Sequence, residues 1–147
     1  MGAARRVFFD ASVLIAAGAS PSGGSALAAE VCKHGLSKAL VTRFVLWEAE
    51  RNLHAKFPAS ALVEFYYLVG QLNCEVVPNP SPAESEAAGK VVPAKDAYVR
   101  AGARAGEATH LLTLDRKHFL GKNTRAVIQP IVACTPGEFL ESLLDEE

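Results

Sequence analysis

The chain has 147 residues, half of them apolar, 21% charged and 7% aromatic. That suits one compact domain with a sizeable core and excludes disordered or collagen-like classes. Fifteen Lys and Arg against sixteen Asp and Glu leave a net charge of −1, which excludes a strongly basic nucleic-acid binder in bulk but not a local basic patch.

In chain order, Arg5 and Arg6 precede an apolar stretch that Asp10 interrupts at once, which is not the form of a targeting signal. The longest apolar run after it, Val13 to Ala17, is far short of the roughly 20 residues that cross a bilayer, so a cytoplasmic protein without membrane contact is expected. Val7-Phe8-Phe9 reads as a buried strand, followed by a turn into Ser12–Ala17. Ser20 to Ser25 is a loop, and a helix runs from there to about His34, with Gly35 as its stop. Ala39-Leu40-Val41 is the second strand, and two helices divided near Phe57-Pro58 follow it. Cys74–Val77 is the third strand. A helix over 83–89, a loop over 92–95 and a helix from Asp96 to Ala105 come next. His110–Leu114 is the fourth strand, and a last short one lies within Ala126–Ala133, with Pro130 at an edge or bend. Thr135-Pro136-Gly137-Glu138 has the form of a capping box and opens a closing helix through Leu144.

About one residue in six is alanine, which favours the helices. Strand and helix alternate along most of the chain, which predicts a single α/β domain with a mainly parallel sheet. Cys32, Cys74 and Cys134 are widely spaced and form no C-x-x-C. Buried reduced thiols are expected, rather than a disulfide scaffold or zinc knuckle.

Two aspartates stand out by their context. Asp10 follows Val7-Phe8-Phe9, and Asp115 follows Leu111-Leu112-Thr113-Leu114. Each therefore falls at the C-terminal end of an expected parallel strand, the edge where open α/β sheets bind ligands. Two carboxylates brought together there repel unless a cation or a shared proton intervenes. Each could also cap the helix or turn that follows, and the two roles are compatible. Asp96 begins an alanine-rich helix and could cap it. Val45, Ala49, Leu53 and Phe57 share one helical face with neither Glu48 nor Glu50 at its centre, so periodicity does not choose between these two acids.

Four segments together resemble the PIN-domain nucleases, especially the single-domain prokaryotic proteins that include the VapC-type toxins. They are Phe8-Phe9-Asp10-Ala11-Ser12-Val13-Leu14, Val45-Leu46-Trp47-Glu48-Ala49, Lys95-Asp96-Ala97-Tyr98-Val99 and Leu111-Leu112-Thr113-Leu114-Asp115-Arg116. Each is weak alone, but four in the family's order and approximate spacing, across nearly the whole chain, are specific. The resemblance implies a three-layer α/β/α fold with a mainly parallel, five-stranded sheet. It also implies that Asp10, Glu48, Asp96 and Asp115 are the catalytic acids and hold one or two Mg²⁺ or Mn²⁺ ions. Glu48 is preferred over Glu50 on the same ground. Ser12 and Thr113 are supporting hydroxyls, with Ser12 placed to orient Asp10 or a metal-bound water. Carboxylate oxygens suit such hard cations.

The implied activity is metal-dependent hydrolysis of RNA phosphodiester bonds. The chain could then be the toxin of a toxin–antitoxin pair, with RNA as substrate, a small antitoxin as partner and a homodimer as the assembly. One departure is Lys117, where family members often carry a further acid, which weakens the case for a second metal. Lys95, Arg116 and Lys117 are candidates to contact the phosphate backbone instead, or simply exposed basic residues. The four histidines show no zinc spacing and read as incidental, with His118 a remote candidate for substrate contact. Two alternatives remain. One is a non-catalytic PIN-like module that binds RNA or protein. The other is a phosphatase of the haloacid-dehalogenase type, which wants a second Asp where this chain has Ser12.

Overall fold

Val7, Phe8 and Phe9 are completely buried on β1 (Arg5–Phe9), the middle strand of the sheet. It pairs in parallel with β2 (Ser37–Thr42) on one side and β4 (His110–Leu112) on the other. β3 (Glu75–Val77) and β5 (Val132–Cys134) add the edges, so the order is β3-β2-β1-β4-β5, parallel throughout. Uninterrupted apolar runs on β1 and β2, rather than alternating ones, are what a strand covered on both faces requires. This computed structural model describes residues 5–35, 37–81, 83 and 94–145.

Seven helices surround the sheet among the described residues and complete a three-layer α/β/α fold. They are α1 (Ala11–Ala19), α2 (Gly24–Lys33), α3 (Arg43–Lys56), α4 (Ala59–Leu72), α5 (Ala94–Ala105), α6 (Lys122–Val127) and α7 (Pro136–Leu144). No helix among the described residues is long and apolar enough to cross a membrane.

Local chemistry sets where the elements begin and end. Thr42 closes β2 and caps α3, its Oγ1 accepting from the Val45 N–H at 3.2 Å. Gly35 follows α2 with φ of 82°, a left-handed conformation that glycine adopts at little cost. The expected capping box is present: Thr135 Oγ1 accepts from Glu138 N at 3.1 Å while Glu138 Oε1 accepts from Thr135 N at 2.9 Å.

Two glycines set how closely α5 approaches the sheet. A Cβ on Gly102 would lie 2.9 Å from Thr42 Cγ2 and 3.1 Å from Phe8 Cζ, and one on Gly106 would lie 2.8 Å from Val77 Cγ2. Without side chains at these positions the backbone of α5 rests directly on β1 and β2, and that of Gly106, just past its end, on β2 and β3. That close seat fixes where the first turn of α5, with Asp96, is delivered. Elsewhere α1 packs against α2, α3 and α4. Cys32 and Cys134 are buried free thiols, each pushed up to about 12 by that burial, and Cys74 is half-buried and also unpaired.

Three expectations need correction. The last strand sits at the very end of the expected Ala126–Ala133 stretch and runs one residue past it: residues Lys122–Val127 are helical, and β5 is Val132–Cys134 after a cis Gln129-Pro130 bond. The apolar Ala126-Val127-Ile128 run is too short for periodicity to separate helix from strand. β4 ends at Leu112, two residues before the expected Leu114. α5 begins at Ala94 rather than Asp96, so Asp96 is inside its first turn rather than ahead of it. The rest of the helix expected over 83–89, and the loop residues 92 and 93, lie outside the described residues.

Candidate active site

β1 and β4 lie side by side, yet the chain leaves them toward opposite halves of the sheet, and this switch point opens a crevice at the C-terminal edge. Asp10 is the first residue past β1, and its N–H donates to the Leu112 carbonyl at 3.0 Å, so it is still tied to the neighbouring strand. Its carboxylate is held on both oxygens. Oδ1 accepts from the Ala11 N–H at 2.8 Å, and Oδ2 accepts from Ser12 Oγ at 2.8 Å and Thr113 Oγ1 at 2.9 Å. Asp10 therefore caps α1 and faces the crevice at once, as its two compatible roles allow.

The two hydroxyls pass the arrangement on to the β4 side. Ser12 Oγ accepts from Leu114 N at 3.1 Å, and Thr113 Oγ1 accepts from Asp115 N at 3.1 Å. Burial pushes the Asp10 carboxyl above its ordinary value, against the lowering effect of Ser12, Thr113 and Ala11; nearby Asp115 raises it further.

Asp10, Ser12, Glu48, Asp96, Asp115 and His118 line one cavity of about 240 Å³, with Asn52, Ile15 and Val99 completing it. The four acids thus come from four separate segments: the ends of β1 and β4, the middle of α3 and the first turn of α5. An acid in that first turn also complements the positive end of the α5 dipole. Asp10 and Asp96 are each only 7% exposed. Burying several carboxylates together is costly without compensating charge.

Within the cavity, the atoms able to ligate a cation come closest in Asp96, Asp115 and His118, all within 4.8 Å of one another. His118 Nδ1 is 3.1 Å from Asp96 Oδ2 and 3.0 Å from Asp115 Oδ2. The His118 N–H also donates to Asp115 Oδ1 at 3.0 Å. Partial burial acts to raise the Asp115 carboxyl, but the backbone N–H and imidazole of His118 outweigh it and hold the group below the usual carboxylate range.

Glu48 lines the cavity, whereas Glu50 opens on a different cleft, so the rotation of α3 separates the two acids that periodicity left open. Arg116 and Lys117 are exposed on the turn after Asp115 and do not line the cavity. The Lys95 side chain lies outside the described residues. The sequence marks His118 only as incidental or a remote candidate for substrate contact, and its place between two carboxylates is the main correction to the site. The signal available was its position three residues after Asp115, which becomes a contact only in a tight turn. Asn52 was not singled out; its Nδ2 donates to the Glu48 carbonyl at 2.8 Å, one turn along α3. A separate cavity of about 300 Å³ is lined by Ala17, Leu27, Glu30, Glu64 and Leu68 among others. Its ionisable lining groups among the described residues are only Glu30 and Glu64, so it lacks a comparable donor set.

The donor set fits a hard divalent cation: several carboxylate oxygens and one imidazole around a space that also admits water. The close trio would supply the first ligands, with Asp10 and Glu48 lining the same cavity.

No protein-family model matches the sequence, and no curated protein does. Among solved structures, the crystal structure of PAE2754 from Pyrobaculum aerophilum is similar to this chain, with a TM-score of 0.66 and 18% identity over 97% of each chain. Likeness at that level of identity establishes the three-layer fold and leaves the chemistry of the site to its residues.

Proposed function

We propose that this chain is a divalent-metal-dependent ribonuclease of the PIN-domain type, which hydrolyses phosphodiester bonds in RNA. The observation that carries this reading is the convergence of Asp10, Glu48, Asp96 and Asp115 on one cavity at the sheet switch point. When bound there, Mg²⁺ or Mn²⁺ would supply a water of lowered pKa and neutralise charge on the scissile phosphate. Asp96, Asp115 and His118 would hold the ion, with Asp10 and Glu48 orienting water and substrate. Ser12 and Thr113 keep the Asp10 carboxylate in one orientation. Arg116 and Lys117 are then left to meet the phosphate backbone outside the cavity. The resemblance extends the reading to a cytoplasmic toxin, to a small antitoxin that covers the acidic cavity, and to a homodimer.

Cleavage of RNA in Mg²⁺ or Mn²⁺ by the wild type, with Asp10→Asn and Asp96→Asn alongside, tests the proposal. Cleavage that requires the metal and both aspartates is expected. Equal cleavage by all three proteins would overturn it.

A second reading rests on His118. Nδ1 of the His118 imidazole is within hydrogen-bond reach of both Asp96 and Asp115 and can tie the two carboxylates together without any metal, which suits a module that binds RNA or protein without turnover. Binding without cleavage across several metals and RNAs favours that reading. The phosphatase alternative has less support, since both oxygens of Asp10 are engaged by hydrogen-bond donors rather than presented as a nucleophile.

A further inference from the structure

Helix α3 turns different chemistry to two clefts. Glu48 and Asn52 line the carboxylate cavity, whereas Trp47, Glu50, Arg51 and His54 open on a second cleft of about 240 Å³, closed by Leu62 and Tyr66 of α4. Trp47 is 52% exposed and Tyr66 50% exposed, so two large rings stand in water around one concavity. The Arg51 guanidinium carbon is 4.6 Å from the centroid of the Trp47 ring, a cation–π contact. The neighbouring Glu50 carboxylate holds the Tyr66 hydroxyl above its ordinary value. Trp47 also adjoins Phe44, with ring centroids 6.0 Å apart. Phe44 in turn stacks on Tyr98 of α5 at 4.9 Å and 24°. A row of aromatic rings therefore leads from the second cleft to the seam between α3 and α5, the two helices that deliver Glu48 and Asp96.

Three of the six side chains lining this cleft are a carboxylate, a guanidinium and an imidazole: Glu50, Arg51 and His54. Covering them with an apolar protein face would strip their water and leave most of their hydrogen-bonding capacity unmet, at a cost. A nucleotide satisfies both halves of the cleft, since its base has two π-faces for the rings, polar edges for Glu50 and His54, and a phosphate for Arg51. We propose that the cleft between α3 and α4 is a nucleobase subsite that takes an unpaired base of single-stranded RNA against Trp47 and Tyr66. The Phe44–Tyr98 stack then directs the strand toward the carboxylate cavity, a course that rests on the ribonuclease reading, whereas capture of the base does not.

Trp47 is the only tryptophan in the chain, so its fluorescence reports on the cleft directly. The full chain is titrated with a single-stranded RNA of about eight nucleotides in EDTA, which withholds divalent ions and stops any metal-dependent cleavage. Saturable quenching by the single strand, and not by the same sequence as a duplex, is expected. Anisotropy of a labelled strand should show about tenfold weaker binding for Trp47→Ala and Tyr66→Ala, with most of the affinity restored in Trp47→Phe. Unchanged far-UV circular dichroism excludes a folding defect, which is not expected for such exposed rings. RNA binding seen by anisotropy without quenching, or with undiminished affinity in Trp47→Ala, would overturn the proposal. So would a concentration-dependent blue shift without RNA, which would give the cleft to a second copy of the chain. Quenching by a wild type that cleaves no RNA supports the subsite and counts only against the ribonuclease reading. Cleavage that Trp47→Ala and Tyr66→Ala leave untouched, without quenching, does the reverse.

Discussion

Thr113 Oγ1 donates to Asp10 Oδ2 at 2.9 Å, joining residues 103 apart in sequence at the point where β1 and β4 diverge. The same hydroxyl oxygen accepts from the Asp115 N–H at 3.1 Å, and Thr113 is completely buried. One small side chain therefore sets two of the four acids relative to each other. Thr113→Val keeps the shape but leaves a buried carboxylate oxygen short of a donor and the Asp115 N–H without this acceptor. A loss of about 1–3 kcal/mol in urea unfolding is expected, with a smaller loss for Thr113→Ser. A valine variant as stable as the wild type would show that the bond does not organise the site.

The raised Asp10 carboxyl gives a pH dependence of definite sign. Burial, its largest cause, makes the folded state hold this proton more tightly than the unfolded chain does. Its contribution favours folding below the unfolded value of about 3.9 and is lost as pH rises through the folded value. At neutral pH the buried charge is therefore a cost, and Asp10→Asn removes it. In EDTA the Tm of Asp10→Asn should equal or exceed that of the wild type at neutral pH, with the gap closing as pH falls toward 4. A clear drop in Tm at neutral pH would mean that the anion itself holds the edge together.

Asp115 titrates in the opposite sense. Burial acts to raise it, but the hydrogen bonds and charge of His118 prevail and lower it. The resulting stability is present above the unfolded value and is lost as pH falls through the folded one. His118→Ala should lower stability by about 0.5–1 kcal/mol near pH 6, a modest amount because the pair is about one-third exposed. The acid-unfolding midpoint followed by circular dichroism should move to higher pH. An unchanged midpoint would remove His118 as the partner of these carboxylates.

Gly102 connects the packing of α5 to the position of Asp96. Its added Cβ would meet Thr42 Cγ2 at 2.9 Å, and Thr42 cannot readily turn away because its hydroxyl caps α3. Gly102→Ala should cost about 1–3 kcal/mol by overpacking and should weaken Mn²⁺ binding, measured by calorimetry, as α5 is displaced. Full stability together with full metal affinity would show that the seat of α5 tolerates a side chain.

Much of the fold is legible in the sequence because burial on both faces writes apolar runs such as Val7–Phe9 and Ala39–Val41, while Thr135 and Glu138 announce a helix by local chemistry. Asp10 is legible for the same reason, as a charge set against the end of an apolar run. The choice of Glu48 over Glu50 depends on the rotation of α3, which Val45, Ala49 and Leu53 fix only once they are packed. His118 was hidden because its partners are chosen by a tight turn and by a helix 22 positions earlier in the numbering, neither of which has periodicity. Helix α6 escaped because six residues are too few to show a period.

The most direct measurement is titration calorimetry with Mn²⁺ on the wild type and on Asp96→Asn. Saturable binding by the wild type that is lost in Asp96→Asn is expected if Asp96, Asp115 and His118 hold the cation. Equal binding by both proteins, or none by the wild type, would contradict that site and favour the reading in which His118 ties the carboxylates together without metal.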